Sequence, residues 1–242
     1  MRKATHAIAS RLSGLRALLP GRGGGLRILS YHAVGSVLPH RHDGISVEPA
    51  RWREQVLSIA PAVALDPALS GIALTFDDGY ADFRDVVVPA LADLGLPATL
   101  FVTVEYAESG SGLYLTRQDV AALARLPNVT VGSHGLSHRR LTECGDAALR
   151  LELGESRRIL EGWTGSPVTA IAYPHGAVDR RVRDAAEEAG YRIGCTTRFG
   201  RNDARTDPLL LRRVEILAAD SPRDFRAKVT GAWDWWGVRR IW

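Results

Sequence analysis

The sequence predicts an α/β fold built as one parallel barrel, and three observations carry that prediction. Short apolar runs alternate with amphipathic helical stretches from Leu26 onward, the order expected of a parallel sheet wrapped by helices. The reactive residues His32, Asp77, Asp78, His134, His138 and His175 all fall just after such runs, and a parallel barrel gathers the carboxyl ends of its strands on one face. A length of 242 residues suits a single domain of this kind. No internal repeat, and no boundary after Gly25, interrupts the alternation.

Residues 1–19 carry Ile8, Leu12, Leu15 and Leu19 at helical spacing among Arg2, Lys3, Arg11 and Arg16. That pattern fits either a helix on a membrane surface or one packed on the domain. A glycine-rich break follows, so residues 1–25 form a basic amphipathic segment and linker. Residues 26–32 read as the first strand, ending in Tyr31-His32, and a loop with His40, His42 and Asp43 comes next. A helix is expected over 48–60, with Pro49 in the first turn, where its missing N–H is harmless. Residues 72–76 form a central strand that runs into Asp77-Asp78-Gly79, and Gly79 lets the backbone turn. Residues 82–94 are helical up to Gly95, 98–104 a strand, and 116–126 a helix opened by Thr116 with Asp119 three residues on. The strand 129–132 delivers Ser133-His134-Gly135-Leu136-Ser137-His138. Residues 146–163 form a long helix with Leu149, Leu153, Ile159 and Leu160 on one side. Then come a strand over 168–173, a helix over 179–189 closed by Gly190, strands over 191–196 and 211–216, and a last helix over 221–229. The domain proper is expected over 26–230. A tail, 231–242, holds Trp233, Trp235, Trp236 and Trp242 beside Arg239 and Arg240. It suits sugar stacking, anchoring at a membrane interface, or a latch across the barrel bottom.

With 45% hydrophobic and 24% charged residues, the composition is that of an ordinary globular protein. The net charge of +4 is spread along the chain with no basic strip interleaved with aromatics, so no nucleic-acid partner is expected. A basic surface suits an acidic substrate or an anionic membrane face. No run is long and apolar enough to span a bilayer, and the N-terminus lacks the apolar core and cleavage site of a secretory signal. A cytoplasmic location is therefore expected, with peripheral contact at the inner membrane face as a variant of it. Cys144 and Cys195 form no CxxC pair and read as buried thiols.

Two adjacent carboxylates at the end of a buried strand repel each other unless a cation lies beside them. A divalent metal keeps one as a ligand and leaves the other free as a base. Asp-Asp-Gly is also a common solvated turn, so the pair needs support from elsewhere. His134-x-x-x-His138 supplies it, because two imidazoles at that spacing can close on one ion from a helical turn or tight loop. With one carboxylate the set is His-His-Asp, which leaves positions open for water and substrate as catalytic metal sites do.

These motifs resemble those of the polysaccharide deacetylase family, carbohydrate esterase family 4, with its NodB homology domain. Thr75-Phe76-Asp77-Asp78-Gly79 is similar to the family's first motif and residues 133–138 to its second. Ala172-Tyr173-Pro174-His175-Gly176 is similar to a variant of the third, and the likeness covers about residues 26–221. The resemblance implies a distorted parallel (β/α) barrel of the NodB type. It also implies a metal-dependent hydrolase that removes an N-acetyl group from an amino sugar of a polysaccharide or glycan precursor. Asp78, His134 and His138 would hold a divalent metal, zinc first, and Asp77 would be the general base. The metal and a backbone N–H, that of His175, would stabilise the oxyanion.

Two departures stand out. The family's usual third motif has an arginine two positions before the proline, which orients the base; this chain has Ala172 there, and His175 in place of the usual tyrosine. The usual acid is a histidine in a late Leu-x-x-His motif, yet no histidine follows His175, and residues 211–216 offer only arginines and a glutamate. Members with an N-terminal Tyr-His strand end carry the acid there, so the resemblance assigns His32 as the acid and His175 as the alternative. A buried core histidine is the other reading of His32. Two further functions stay open: removal of an acyl or formyl group from a lipid-linked sugar at the inner membrane face, and a silent carbohydrate-binding domain that keeps the fold. Against the second stand Asp77, Asp78, His134 and His138, whose burial together is costly without a metal.

Overall fold

Alternation along the strands sorts the core into two layers. The computed structural model describes residues 25–39, 43–68 and 70–234. Strand β1 (Leu26–Tyr31) leads through a small parallel pair, β2 (Ala33–Val34) and β3 (Ser46–Val47), into helix α1 (Pro49–Ile59). Then follow β4 (Gly71–Phe76), α2 (Val88–Leu94), β5 (Ala98–Val102), α3 (Val104–Glu108), α4 (Arg117–Leu123) and β6 (Val129–Ser133). The chain continues through α5 (Asp146–Thr164), β7 (Ala170–Ala172), α6 (Arg180–Glu188), β8 (Ile193–Cys195), β9 (Val214–Glu215) and α7 (Pro222–Thr230). The seven-stranded sheet has the order β8-β7-β6-β5-β4-β1-β9, and every ladder in it is parallel. This is the curled half-barrel that the alternation predicts.

Successive side chains of a strand point to opposite faces, and both layers obey that rule. Ile72, Leu74 and Phe76 of β4 join Leu29 and Tyr31 of β1 in the large core beneath the helices. There Phe76 stacks on Tyr31 at 5.4 Å and meets Trp52 of α1 edge-on. The intervening residues Ile28 and Ala73 face a smaller cluster inside the curl, with Phe101, Ala170, Ala172, Cys195 and Leu211. Phe101 is the largest side chain of that inner cluster. A Cβ added at Gly132 would lie 2.6 Å from its ring, so glycine is required there by space rather than by backbone angle.

Residues 211–216 close the curl. Leu211 N–H donates to Gly194 O at 2.7 Å and Leu211 O accepts from Thr196 N–H at 2.8 Å, which ties this segment to β8. Two residues on, Val214 and Glu215 pair with Leu29 and Ser30 of β1. One extended segment therefore bridges the two edges of the sheet. The strand expected over 211–216 is present in position, but only Val214–Glu215 forms a regular ladder because the segment changes partner midway.

Local signals place most helices as expected. Capping boxes open α4 at Thr116/Asp119 and α7 at Ser221/Asp224, and left-handed glycines at Gly95 and Gly165 end α2 and α5. The expected helix over 82–94 starts as a π-helical turn, Phe83–Val87, before α2, and α3 has no counterpart in the sequence reading. Cys144 and Cys195 are buried free thiols. No helix among the described residues is long and apolar enough to cross a membrane. The expected amphipathic segment, His40, His42 and tail residues Trp235, Trp236, Trp242, Arg239 and Arg240 lie outside the described residues. Of the tail, Asp234 takes both terminal nitrogens of the buried Arg27 at 2.9 and 2.7 Å, and Trp233 lies under the Lys228 ammonium. Arg27 stands near the start of β1, so this contact sits at the end of the barrel opposite the reactive residues.

The inner packing makes one substitution act in opposite directions at two glycines. Gly132→Ala should destabilise by about 1–3 kcal/mol through overpacking against Phe101. Gly154→Ala, in α5 with nothing within 4 Å of the added methyl, should stabilise by about 0.4–1 kcal/mol. Urea denaturation of both variants checks the pair.

Candidate active site

Register gathers the reactive residues. Tyr31 and Phe76 are partners in the β1–β4 ladder, and Asp77 N–H donates to Tyr31 O at 2.9 Å, so His32 and Asp77 leave the sheet side by side. Val102 and Ser133 are partners between β5 and β6, which brings His134 out one strand further along. Asp77 continues the inward series of Ala73 and Thr75, so Asp78 would ordinarily point to the opposite face. It does not, because its φ is 72°, and that left-handed turn swings the second carboxylate into the same cavity. His138 and His175 share this conformation, with φ of 62° and 58°. Among the described residues, these three are the non-glycine positions with positive φ. Each costs about 1–3 kcal/mol and persists only where its surroundings enforce it.

Asp78 Oδ1 lies 3.4 Å from His134 Nε2 and 3.2 Å from His138 Nε2, and the three atoms fall within 4.8 Å of one another. His134 Nδ1 is 2.7 Å from the carbonyl of Ala172, so that nitrogen donates to the carbonyl and Nε2 is the one turned toward Asp78. Asp78 Oδ1 is buried and has no hydrogen-bond partner. A carboxylate oxygen and two imidazole nitrogens converging on one point, with the oxygen otherwise orphaned, fit a divalent cation. Burial pushes the Asp78 carboxyl up, but the two imidazoles hold it well below the usual range, so it is ionised.

Arg213 is the residue the sequence reading missed. Its two terminal nitrogens reach Asp77 Oδ1 and Oδ2 at 2.7 Å each, and Nε donates to Thr196 O at 3.0 Å. The side chains are 2% and 3% exposed, and the guanidinium lies over Phe101. Burial opposes ionisation of Asp77, yet Arg213, with smaller help from His134 and His32, lowers its pKa. The third motif has Ala172 where an arginine was expected, and the orienting arginine comes instead from the segment that closes the barrel. A signal for it was present: Val214 and Ile216 belong to the outer core, so Arg213 must face inward with Leu211.

All six sequence-nominated residues line one cavity of about 570 Å³, together with Tyr80, Tyr106, Tyr114, Arg140, Arg213 and Glu215. The His32 Nδ1 atom is buried there without a partner. Asp82, read from the sequence only as a helix start, accepts from Val34 N–H at 2.8 Å and Ser36 N–H at 3.1 Å. It thereby fixes the turn that follows His32. His175 packs edge-on against His138, and burial, then His138 and Arg140, lower its pKa. Tyr80, Tyr114 and Tyr106 form a stacked series of rings, with 5.0 and 4.5 Å between centres, that ends on His138.

A curled parallel sheet of this kind, wrapped by helices, is the fold of NodB-type deacetylase structures. The polysaccharide deacetylase profile matches residues 66–194, and the chain belongs to that family. YxkH of Bacillus subtilis (strain 168), a polysaccharide deacetylase by name, is 27% identical over 163 residues, 67% of this chain and 57% of that protein. Chitin deacetylase 1 of Cryptococcus neoformans is 27% identical over 139 residues, 54% of this chain and 28% of the fungal protein. The matched stretch thus spans little more than half of one relative and under a third of the other. Among solved structures, the Streptococcus pyogenes deacetylase PplD in complex with acetate superposes with a TM-score of 0.72 at 24% identity, covering 85% of this chain and 98% of that one. That likeness is one of fold.

Breaking the buried pair from one side should be costly. Arg213→Met leaves Asp77 desolvated and unpaired, an expected loss of about 3–5 kcal/mol in denaturant unfolding at neutral pH. Because pairing depresses the Asp77 pKa, the pair's contribution is complete above the unfolded-state value of about 3.9. It is lost as pH falls through the lower folded-state value, so wild-type and variant stabilities should converge in strong acid.

Proposed function

We propose that this domain is a metal-dependent N-deacetylase acting on an N-acetylated amino sugar within a polysaccharide. One observation carries the reading: a His-His-Asp cluster, an ionised carboxylate oriented by an arginine, and an unpaired histidine all open into the same cavity. Family membership supports the reaction class, and the fungal relative's name, a chitin deacetylase, supports an N-acetylglucosamine polymer as the first substrate to try.

Asp78, His134 and His138 would hold the cation, zinc in the first instance, which when bound would polarise the acetamide carbonyl and acidify water. Asp77 accepts the proton of the attacking water. Arg213 keeps that carboxylate ionised and turned toward the cavity, the task of the arginine missing from the third motif. The backbone N–H of His175, a residue that lines the cavity, would stabilise the developing oxyanion. His32 protonates the departing amine, releasing acetate and a free amino sugar. The β1–β4 register supports His32 over His175, because it sets His32 directly beside Asp77. The lowered pKa of His175 argues the same way, since a stored proton is what the acid must supply. On this reading the chain would fall in the group that carries its acid in an N-terminal Tyr-His strand end.

The test is metal content and acetate release from N-acetylglucosamine oligomers. Wild-type protein purified without chelator should hold about one equivalent of metal and release acetate. Asp78→Ala should lose both, whereas His32→Ala should keep its metal and lose about 10²–10⁴-fold in turnover. Wild-type protein that takes up neither zinc nor cobalt on reconstitution would rule out the hydrolase. Full turnover by His32→Ala would remove His32 from the acid role. Residual turnover by Arg213→Met should show its acid limb at higher pH than wild type, because Asp77 loses the partner that depresses its pKa.

A further inference from the structure

The loop between the two histidines is held from beneath by a carboxylate outside the cavity lining. Glu152, in the middle of α5, is 4% exposed. Its Oε2 accepts from the backbone N–H groups of Leu136 at 2.9 Å and Ser137 at 3.0 Å, and its Oε1 accepts from the Ser137 hydroxyl. The same oxygen, Oε2, lies 3.4 Å from where a Cβ on Gly135 would stand, so the carboxylate packs directly under the loop. One turn further along α5, Ser156 Oγ accepts from Ser133 Oγ at 3.0 Å, and Ser133 Oγ in turn accepts from Gly135 N–H at 3.1 Å. Residues 133–137 are thereby tied to one face of one helix.

Residue 138 comes next. His138 holds a φ of 62°, an unfavourable conformation for a histidine, and there its Nε2 lies 3.2 Å from Asp78 Oδ1. Relaxation of the loop toward ordinary backbone angles would carry that nitrogen away. A buried carboxylate accepting three hydrogen bonds is a strong enough tether to prevent this, since bonds to a charged acceptor are shorter and stronger than neutral ones. We infer that Glu152 is a positioning residue that sets the metal affinity of the site by enforcing the conformation of His138. The inference rests on the metal-site reading above and goes beyond it, because Glu152 touches none of the proposed ligand atoms.

Zinc titration by calorimetry on the full chain, with cobalt absorption as the spectroscopic readout, tests it. Glu152→Ala should weaken zinc binding by about 10–100-fold and alter the cobalt spectrum. Glu152→Gln should bind nearly as wild type, because its carbonyl oxygen can accept both N–H groups while its amide donates to Ser137 Oγ. Leu153→Ala, a core truncation on the same helix, should lower the melting temperature with zinc affinity unchanged. If the alanine variant does not fold, Glu152→Asp keeps the charge but falls short of the loop, and it should also bind zinc weakly. Wild-type affinity in Glu152→Ala or Glu152→Asp, or an equal loss in Leu153→Ala, would overturn the positioning role and leave the metal site standing. A wild-type protein that binds no metal would overturn both.

Discussion

The buried pair between Arg213 and Asp77 is the contact on which the rest of the structure depends. It joins the segment that closes the barrel to the central strand that carries the paired carboxylates. Removing two charges from water is expensive, and the pair tolerates it only because each nitrogen of the guanidinium has a partner. Both Asp77 oxygens take one nitrogen each, Thr196 O takes the third, and the ring of Phe101 faces the planar group. Such an arrangement contributes geometric definition more than stability: there is one register of residues 211–216 in which Arg213 meets Asp77, and that register also seats Leu211 against β8 and Val214 against β1. Barrel closure and orientation of the candidate base are therefore a single event.

Around this pair the backbone is strained where chemistry is proposed. Two consecutive strand residues cannot share a face, so bringing Asp77 and Asp78 to one cavity requires the chain to leave the β region between them. Asp78 does so with a left-handed φ, which a short polar side chain tolerates better than most. His138 and His175 are less suited to that region and are held by tertiary contacts instead. Strain is thus distributed over the three positions from which ligand nitrogen, ligand oxygen and oxyanion donor would come, while the regular elements beneath keep ordinary geometry. Hydrogen bonds that Asp82 accepts from the turn after His32, and Glu152 from the loop before His138, show how this is achieved. Buried carboxylates outside the reaction hold the backbone of the loops that take part in it.

The opposite end of the barrel is organised by a second buried arginine. Arg27 donates to Asp234 and to the carbonyl of Lys228, anchoring the end of α7 and the start of the tail to the first strand. Inside the curl, Leu26, Ile28, Ala73, Ala170, Ala172, Cys195 and Leu211 pack in one cluster with Phe101.

Much of this was determined by the sequence alone, and for local reasons. Strand and helix periods, the Thr116 and Ser221 caps and the glycine stops depend on neighbours a few residues apart, so the order of elements could be read directly. Asp77, Asp78, His134, His138, His175 and His32 could be nominated because parallel strands deliver their carboxyl ends to one face, whatever the details of packing. The partner of Asp77 could not be named from the motif, since the orienting arginine lies 136 residues away rather than beside the third motif. That pairing exists only once residues 211–216 have bridged both edges of the sheet. Nor could the sequence say that Asp78 and His138 would adopt left-handed angles, because tertiary contacts hold them there. The local chain determined which residues could react; closure of the barrel decided which of them meet, because those contacts are set by register between distant strands.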